Sequence, residues 1–368
     1  MAELNNISLS RGAPSLDIIP VEDLRTAAQR AFERDPAGTF AYGTSAGYPR
    51  LLEWLAAKHG VAPERLLATN GSMQADAFLF AELVQPGDTV VVEAPTYDRT
   101  LLALRKLGAE LVPIPLEADG LDVDALEETL AAGTRPKLAH IIPTFQNPAG
   151  CTLSLEKRRR LLELADTHGF TIFEDDPYVE LRFEGDDQPR MLELDEGGET
   201  VVYASSFSKT VCPGIRVGYL VGPPGLIGSL GKRATETYIS PNMVAQSIVA
   251  ELCHSGDIER SIATVTEALL ERRDATSGAL ERHLPDARFV LPEGGYFLWV
   301  DLPAGSDVAA LERAAAARGV VFVKGTDFLL EGGESSLRLA YSAVPPDQIE
   351  EGIARVAEAY RELSPTTA

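Results

Sequence analysis

An α/β fold is predicted: a largely parallel sheet with helices on both faces, followed by a smaller α/β layer. Three observations predict it. Short, β-branched apolar runs alternate with helical stretches between residues 65 and 223. These runs are apolar throughout, as strands covered on both faces are. Beyond 225 the pattern turns helical, then returns to strands that suit a second, antiparallel layer.

Helical periodicity covers 21–35 ("VEDLRTAAQRAFERD"), 48–60 ("YPRLLEWLAAKHG", stopped by Gly60) and 72–84 ("SMQADAFLFAELV", ended by "QPGD"). Strand-like runs occupy 65–69, 89–95, 110–116, 138–145, 170–176, 200–208 and 217–223. Helical stretches at 99–107, 122–132 and 154–168 separate most of them. After the helical region 225–285, strands are expected at 288–303, 319–325 and 335–342, with helices at 306–318 and 346–363. The division falls within long helices, at 265. It gives an N-terminal arm (1–20), a large unit (21–265) and a small C-terminal unit (266–368).

The formal net charge of -22 repels phosphate backbones and anionic lipid, so neither nucleic acid nor membrane is an expected partner. Three cysteines without framework spacing read as reduced thiols of a cytoplasmic protein. The start "MAELNNISLSRGAPSLD" lacks a basic, then apolar, signal pattern, and no apolar run is long enough to span a bilayer.

Several motifs are decoys. "GTSAG" (43–47) matches a nucleophile elbow, but "RDPAGTFAY" before it is too broken for a central strand. "SFSK" (206–209) matches the S-x-x-K of penicillin-recognising enzymes without their companion triplets. His59, His140, His168, His254 and His283 have no ligand spacing, so no metal is expected.

Other motifs converge. "TNGSMQ" (69–74) sits where a strand hands over to a helix. Gly71 lets a ligand approach the backbone, Ser72 can cap the helix, and the free N–H groups of 72–74 can hold a phosphate; an ordinary N-cap is the alternative. Four strand ends deliver four different groups: Tyr97 in "EAPTY", Asn147 in "PTFQNPAG", Asp175 in "EDDPY" and Lys209 in "YASSFSKTVCPGIR". Ligands of open α/β sheets bind at such carboxyl ends.

In this order and spacing the motifs resemble class I/II aminotransferases of the pyridoxal-phosphate fold type I group, closest to the 2-aminoadipate and multi-substrate branch. The resemblance runs from "RGAPSLDIIP" to "LRLAYS". It implies a large cofactor-binding domain with a mostly parallel seven-stranded sheet, and an N-terminal arm packed on the small domain. Lys209 resembles the lysine that forms an aldimine with the cofactor and then carries the proton between Cα and C4′. Ser206, Ser208 and Arg216 resemble the phosphate cup, closed by the backbone of Gly71, Ser72 and Met73. Asp175 matches the acid on the pyridine nitrogen, while Asp176 should point away by strand alternation. Tyr178 and Asn147 match the pair on the phenolic oxygen, and Tyr97 the ring-stacking aromatic. Arg338 matches the clamp on the substrate α-carboxylate, assisted by Asn147, and Gly12 a backbone contact over the substrate. Tyr42 resembles the tyrosine that reaches the neighbouring subunit's phosphate, which implies a homodimer with shared sites.

The resemblance therefore implies ping-pong exchange of amino groups between an α-amino acid and a 2-oxo acid such as 2-oxoglutarate or pyruvate. Met73, Tyr296 and Lys324 stand where the branch often has glutamine, methionine and proline. The N-terminal helix that can recognise a second carboxylate in relatives is not expected here. An apolar or aromatic donor is expected, with Leu16, Ile18 and Tyr296 near it; Arg11 and Lys324 are the cations that would favour an acidic one. Alternatives are a lyase or decarboxylase on the same fold, a ligand-sensing domain of a transcription regulator, and a serine hydrolase. The regulator needs a DNA-binding module, and none is expected ahead of Met1.

Overall fold

The computed structural model describes residues 6–363; residues 1–5 of the arm and 364–368 of the small unit lie outside the described residues. The strands are β1 (Ile7–Ser8), β2 (Leu66–Thr69), β3 (Thr89–Ala94), β4 (Glu110–Glu117), β5 (Gly120–Leu121), β6 (Leu138–Ile141), β7 (Thr171–Asp175), β8 (Val201–Ser206), β9 (Gly218–Val221), β10 (Phe297–Asp301), β11 (Val320–Val321), β12 (Val323–Lys324) and β13 (Ser336–Ala340).

The large sheet has the order β2-β9-β8-β7-β6-β3-β4-β5. Seven strands are those expected from the sequence; the eighth, β5, is a two-residue addition that pairs antiparallel with β4. Strands β4, β3, β6, β7 and β8 run parallel. Strand β9 runs against them, and β2 pairs antiparallel with β9. The carboxyl ends of β2, β3, β6, β7 and β8 therefore share one edge of the sheet with the start of β9.

Successive residues of the central strands feed different cores. Val91, Ile172, Val201 and Tyr203 join one buried cluster, and Val90, Val92, Phe173, Val202 and Ala204 another. Period-two alternation with both faces covered explains the unbroken apolar runs.

The expected helices form at Val21–Arg34, Pro49–His59, Ser72–Leu83, Asp98–Lys106, Val123–Ala131, Leu155–His168, Val308–Ala316 and Pro346–Leu363. The segment read as too broken for a strand before "GTSAG" contains the short helix Pro36–Phe40. Strands β6 and β10 are shorter than the apolar runs that contain them; residues 142–145 and 288–296 instead form loops and bends.

Strands β10, β13 and β12 form a three-stranded antiparallel sheet. The arm's β1 pairs in parallel with β11, and Ile7, Leu9 and Ile18 share a buried cluster with Val320, Leu339 and Ile353. Helix Asp257–His283 is continuous over 27 residues and passes through 265 unbroken.

Candidate active site

The carboxyl edge of the large sheet borders a cavity of about 200 Å³. Its lining contains Gly12, Ser72, Met73, Tyr97, Asn147, Asp175, Tyr178, Ser206, Ser208, Lys209 and Arg216. Parallel strands bring residues far apart in sequence to one rim, as the topology of open α/β sheets requires.

Lys209 follows β8. Its Nζ donates to the Gly12 carbonyl at 2.5 Å and lies 5.5 Å from the Tyr178 ring and 5.3 Å from the Tyr296 ring. Burial lowers the amine to about 8; the charge of Arg338 acts in the same direction and that of Asp175 opposes it. The amine is thus readied to lose its proton near neutrality.

Asp175 ends β7. It is buried, its Oδ2 lies 3.5 Å from His140 Nε2, and its Oδ1 has no partner among the described residues. A buried carboxylate oxygen without a partner is costly, so this atom suits a cationic N–H in the cavity. Asp176 lies among the charges of Glu174, Arg158 and Arg190, and burial raises its carboxyl to about 7. It is not part of the cavity wall, as strand alternation predicts.

The anion cup comes from three segments. Ser206 Oγ lies 3.0 Å from Ser208 Oγ, and Arg216 Nη1 donates to Ser208 Oγ at 3.1 Å. Arg216 Nη2 donates to the Asn70 carbonyl at 3.3 Å. Gly71 has φ 87° and precedes the 12-residue helix Ser72–Leu83. A Cβ at Gly71 would lie 2.1 Å from Arg216 Nη2, so only glycine permits this approach. Gly71, not Ser72, is the cap residue; Ser72 is the first helical residue and makes no side-chain cap. Backbone N–H groups of the helix's first turn are open to an anion whichever residue caps it. Pairing of Gly218 with both Thr69 and Ser206 brings the three segments together.

Arg338, on β13, is buried over the rings of Phe297 (4.3 Å) and Phe328 (4.7 Å). Nη1 donates to Asn147 Oδ1 at 2.9 Å and Nη2 to the Ser10 carbonyl at 2.6 Å, while Nε has no partner among the described residues. Burial lowers the guanidinium to about 10, which leaves it charged at neutral pH. Tyr178 is buried, and its hydroxyl is pushed up mainly by burial. Tyr97 is raised to about 12 by burial, then by Asp98, Asp175 and Asp76.

Tyr42 stands apart. It is 83% exposed and is not in the cavity wall. Three expectations about the donor pocket also change. Ile18 is buried in the core, Leu16 is exposed, and Tyr296 is fully buried with its hydroxyl on the Lys209 carbonyl at 2.6 Å. Tyr296 thus braces the lysine segment. Lys324 Nζ is paired with Asp327 Oδ1 at 2.9 Å.

Three contributors escaped the sequence reading. Asp76 lines the cavity from the buried face of its helix. Its carboxyl is held well above the usual range by burial and by Asp175, and its Oδ1 has no partner among the described residues. His140, read only as one scattered histidine, lies in the buried stretch of β6 behind Asp175. The third is a role rather than a residue: Tyr296, expected near the donor, braces the Lys209 carbonyl. Asp76 and His140 are polar residues within apolar runs, which was the available signal.

Pyridoxal phosphate fits these residues. The unpartnered Asp175 Oδ1 suits its ring nitrogen, the glycine-walled cup suits its phosphate, and the Lys209 amine lies in the same cavity.

The sequence matches the family described as aminotransferase class I and II over residues 5–356. It is 36% identical to aromatic-amino-acid aminotransferase 1 of Thermococcus litoralis, over 97% of this chain and 88% of that protein. It is 35% identical to 2-aminoadipate transaminase of Thermus thermophilus, over 97% and 90%. The kynurenine aminotransferase of Pyrococcus horikoshii, solved with PMP, superposes with a TM-score of 0.93 at 35% identity, over 98% of this chain and 92% of that one. The Thermus thermophilus α-aminoadipate aminotransferase, solved with N-(5′-phosphopyridoxyl)-L-leucine, gives 0.93 at 34%, over 97% and 92%. The chain therefore belongs to the class I and II aminotransferases, pyridoxal-phosphate enzymes of fold type I that exchange amino groups between amino acids and 2-oxo acids.

Proposed function

We propose that this aminotransferase takes an apolar or aromatic α-amino acid as donor and 2-oxoglutarate or pyruvate as acceptor, and that it works as a cytoplasmic homodimer with shared sites. The observation that carries the catalytic part is the Lys209 amine, lowered to about 8, in one cavity with the unpartnered Asp175 oxygen.

Bound pyridoxal phosphate supplies the electron sink for deprotonation at Cα. Lys209 Nζ anchors the cofactor and then takes and returns the Cα proton as general base and acid. Asp175 holds a proton on the ring nitrogen. Tyr178 and Asn147 hold the phenolic oxygen, and Tyr97 covers the ring face. Ser206, Ser208, Arg216 and the backbone at Gly71, Ser72 and Met73 bind the phosphate. Arg338 grips the substrate α-carboxylate with its unpartnered Nε, and Gly12 covers the substrate.

The donor class is supported by the aromatic-amino-acid and kynurenine aminotransferases among the relatives. It is also supported by the commitment of Arg338 to Asn147 and Ser10 and of Lys324 to Asp327. A side-chain carboxylate in the pocket needs its own cation, which leaves Arg11. A donor panel tests this: phenylalanine, tyrosine or leucine should give the highest kcat/KM. Highest kcat/KM with aspartate or 2-aminoadipate, lost in Arg11→Ala, overturns the donor class.

The dimer is supported by four exposed large hydrophobic side chains, Phe40, Tyr42, Met73 and Ile239, of which Met73 also lines the cavity. Mixing inactive Tyr42→Ala and Lys209→Ala proteins should restore activity, because hybrid dimers regain one intact site. A fully active monomer, or mixtures that stay inactive, sinks the shared site. Cytoplasmic residence is supported by three free cysteines and by the lack, among the described residues, of a helix long and apolar enough to cross a membrane.

A further inference from the structure

Strand β3 reads "TVVVEA", and its one acid, Glu93, is 2% exposed. A carboxyl placed so deeply is costly unless its bonds repay it. Its Oε2 accepts from the Ile142 N–H at 3.1 Å and from Gln146 Nε2 at 2.9 Å. Gln146, itself buried, is bonded on every side. Its Nε2 also donates to the Pro95 carbonyl at 2.9 Å, and its Oε1 accepts from the Ala149 N–H at 2.8 Å. Its backbone N–H donates to the Cys151 carbonyl at 2.9 Å. The next residue is Asn147, whose Oδ1 accepts from Arg338 Nη1 at 2.9 Å.

We propose that Glu93 is a positioning residue for the substrate-carboxylate grip: it fixes Gln146, and Gln146 fixes Asn147 against Arg338. The inference rests on the reading of Arg338 as the residue that binds the α-carboxylate. The geometry supports a chain of restraint from a rigid strand to a loop. Residues 142–147 have left the sheet, so no ladder bonds hold them. The buried Glu93 carboxyl stands in for the missing strand partner at Ile142 and clamps the amide before Asn147. Burial raises Glu93 to about 8, with Asp175 adding to the shift and the bonds from Gln146 and Ile142 opposing it. The acid thus carries its proton at neutral pH. A neutral glutamine can present the same acceptor oxygen to both donors.

The test compares steady-state kinetics and cofactor affinity of the holoenzyme and its variants. Donor and acceptor both carry a carboxylate next to the reacting carbon, so a loosened grip raises both KM values together. Glu93→Ala leaves two buried donors short of an acceptor, which corresponds to a rise of about tenfold in each KM. The value of kcat should stay within about threefold, and cofactor affinity should fall less than the KM values rise, because the cup is separate from the bonds that Glu93 makes to Ile142 and Gln146. Glu93→Gln should restore both KM values. Gln146→Met, which cuts the link from the other side at similar volume, should reproduce the parallel rise even where Glu93→Ala is too unstable to assay. Unchanged KM in a folded Glu93→Ala or Gln146→Met protein overturns the proposal. So does loss of kcat or of cofactor instead, or failure of Glu93→Gln to rescue. Arg338→Ala is the separate control: if it leaves KM for both substrates unchanged, the reading of Arg338 fails rather than the restraint by Glu93.

Discussion

Lys209→Ala protein is expected to bind pyridoxal phosphate and to transfer no measurable amino groups. The cup, Asp175 and the Tyr97 ring are separate from the lysine side chain, so the cofactor keeps its other contacts. On the proposed role of this amine as proton carrier at Cα, removal of a positioned acid–base alone costs about 10²–10⁴-fold. Borohydride treatment of the wild-type holoenzyme, followed by peptide mapping, should find cofactor fixed to Lys209. A label on another lysine ends the assignment. The apo-protein adds a second readout. The folded amine titrates at about 8 against 10.5 for the ordinary side chain, so between those values the unfolded chain binds more protons. The cost of burying the charged amine is full below pH 8 and relieved as pH rises toward 10.5. Wild type should therefore gain stability relative to Lys209→Ala over that interval, measured by urea unfolding at fixed pH.

Asp175→Asn should keep the fold and much of the cofactor affinity while slowing removal of the Cα proton by about 10²-fold or more, the scale of losing one preorganised electrostatic partner. A neutral amide no longer favours a protonated ring nitrogen, so electrons flow less readily from Cα. Stopped-flow half-reactions measure this directly, and wild-type rate constants would show that Asp175 is not the nitrogen's partner. Asp176→Asn is the control. Its carboxyl lies among Glu174, Arg158 and Arg190 and lines no part of the cavity, so the half-reactions should change little.

Much of the site was legible because its chemistry is concentrated at strand ends. Asp175 closes an apolar run, Lys209 sits between hydroxyls, and glycine precedes a helix with an exposed N-terminus; each is a local signal. The strand alternation that turns Asp176 away is equally local. The misreadings share a different cause. Leu16 and Ile18 are two positions apart, yet one is exposed and the other lies in the small unit's core. Tyr296 looked like a pocket residue, but its hydroxyl braces the Lys209 carbonyl across the site. Neither fate follows from a residue's neighbours in the chain.

The amino-acid sequence by itself determined the alternation of elements, both layers, most of the groups gathered at the cavity and the family they resemble. Those features are periodic or local, with motifs spanning a few residues each. Only the tertiary structure decided that β9 runs antiparallel between β2 and β8, and this insertion brings Asn70–Gly71 to Arg216 across 146 residues. It alone decided that Asp76 shares a cavity with Asp175, that Glu93 clamps the loop before Asn147, and that Arg338 meets Asn147 from another sheet. Strand order and direction are set by the burial of both sheet faces together, a sum over contacts far apart in the chain that no single segment carries.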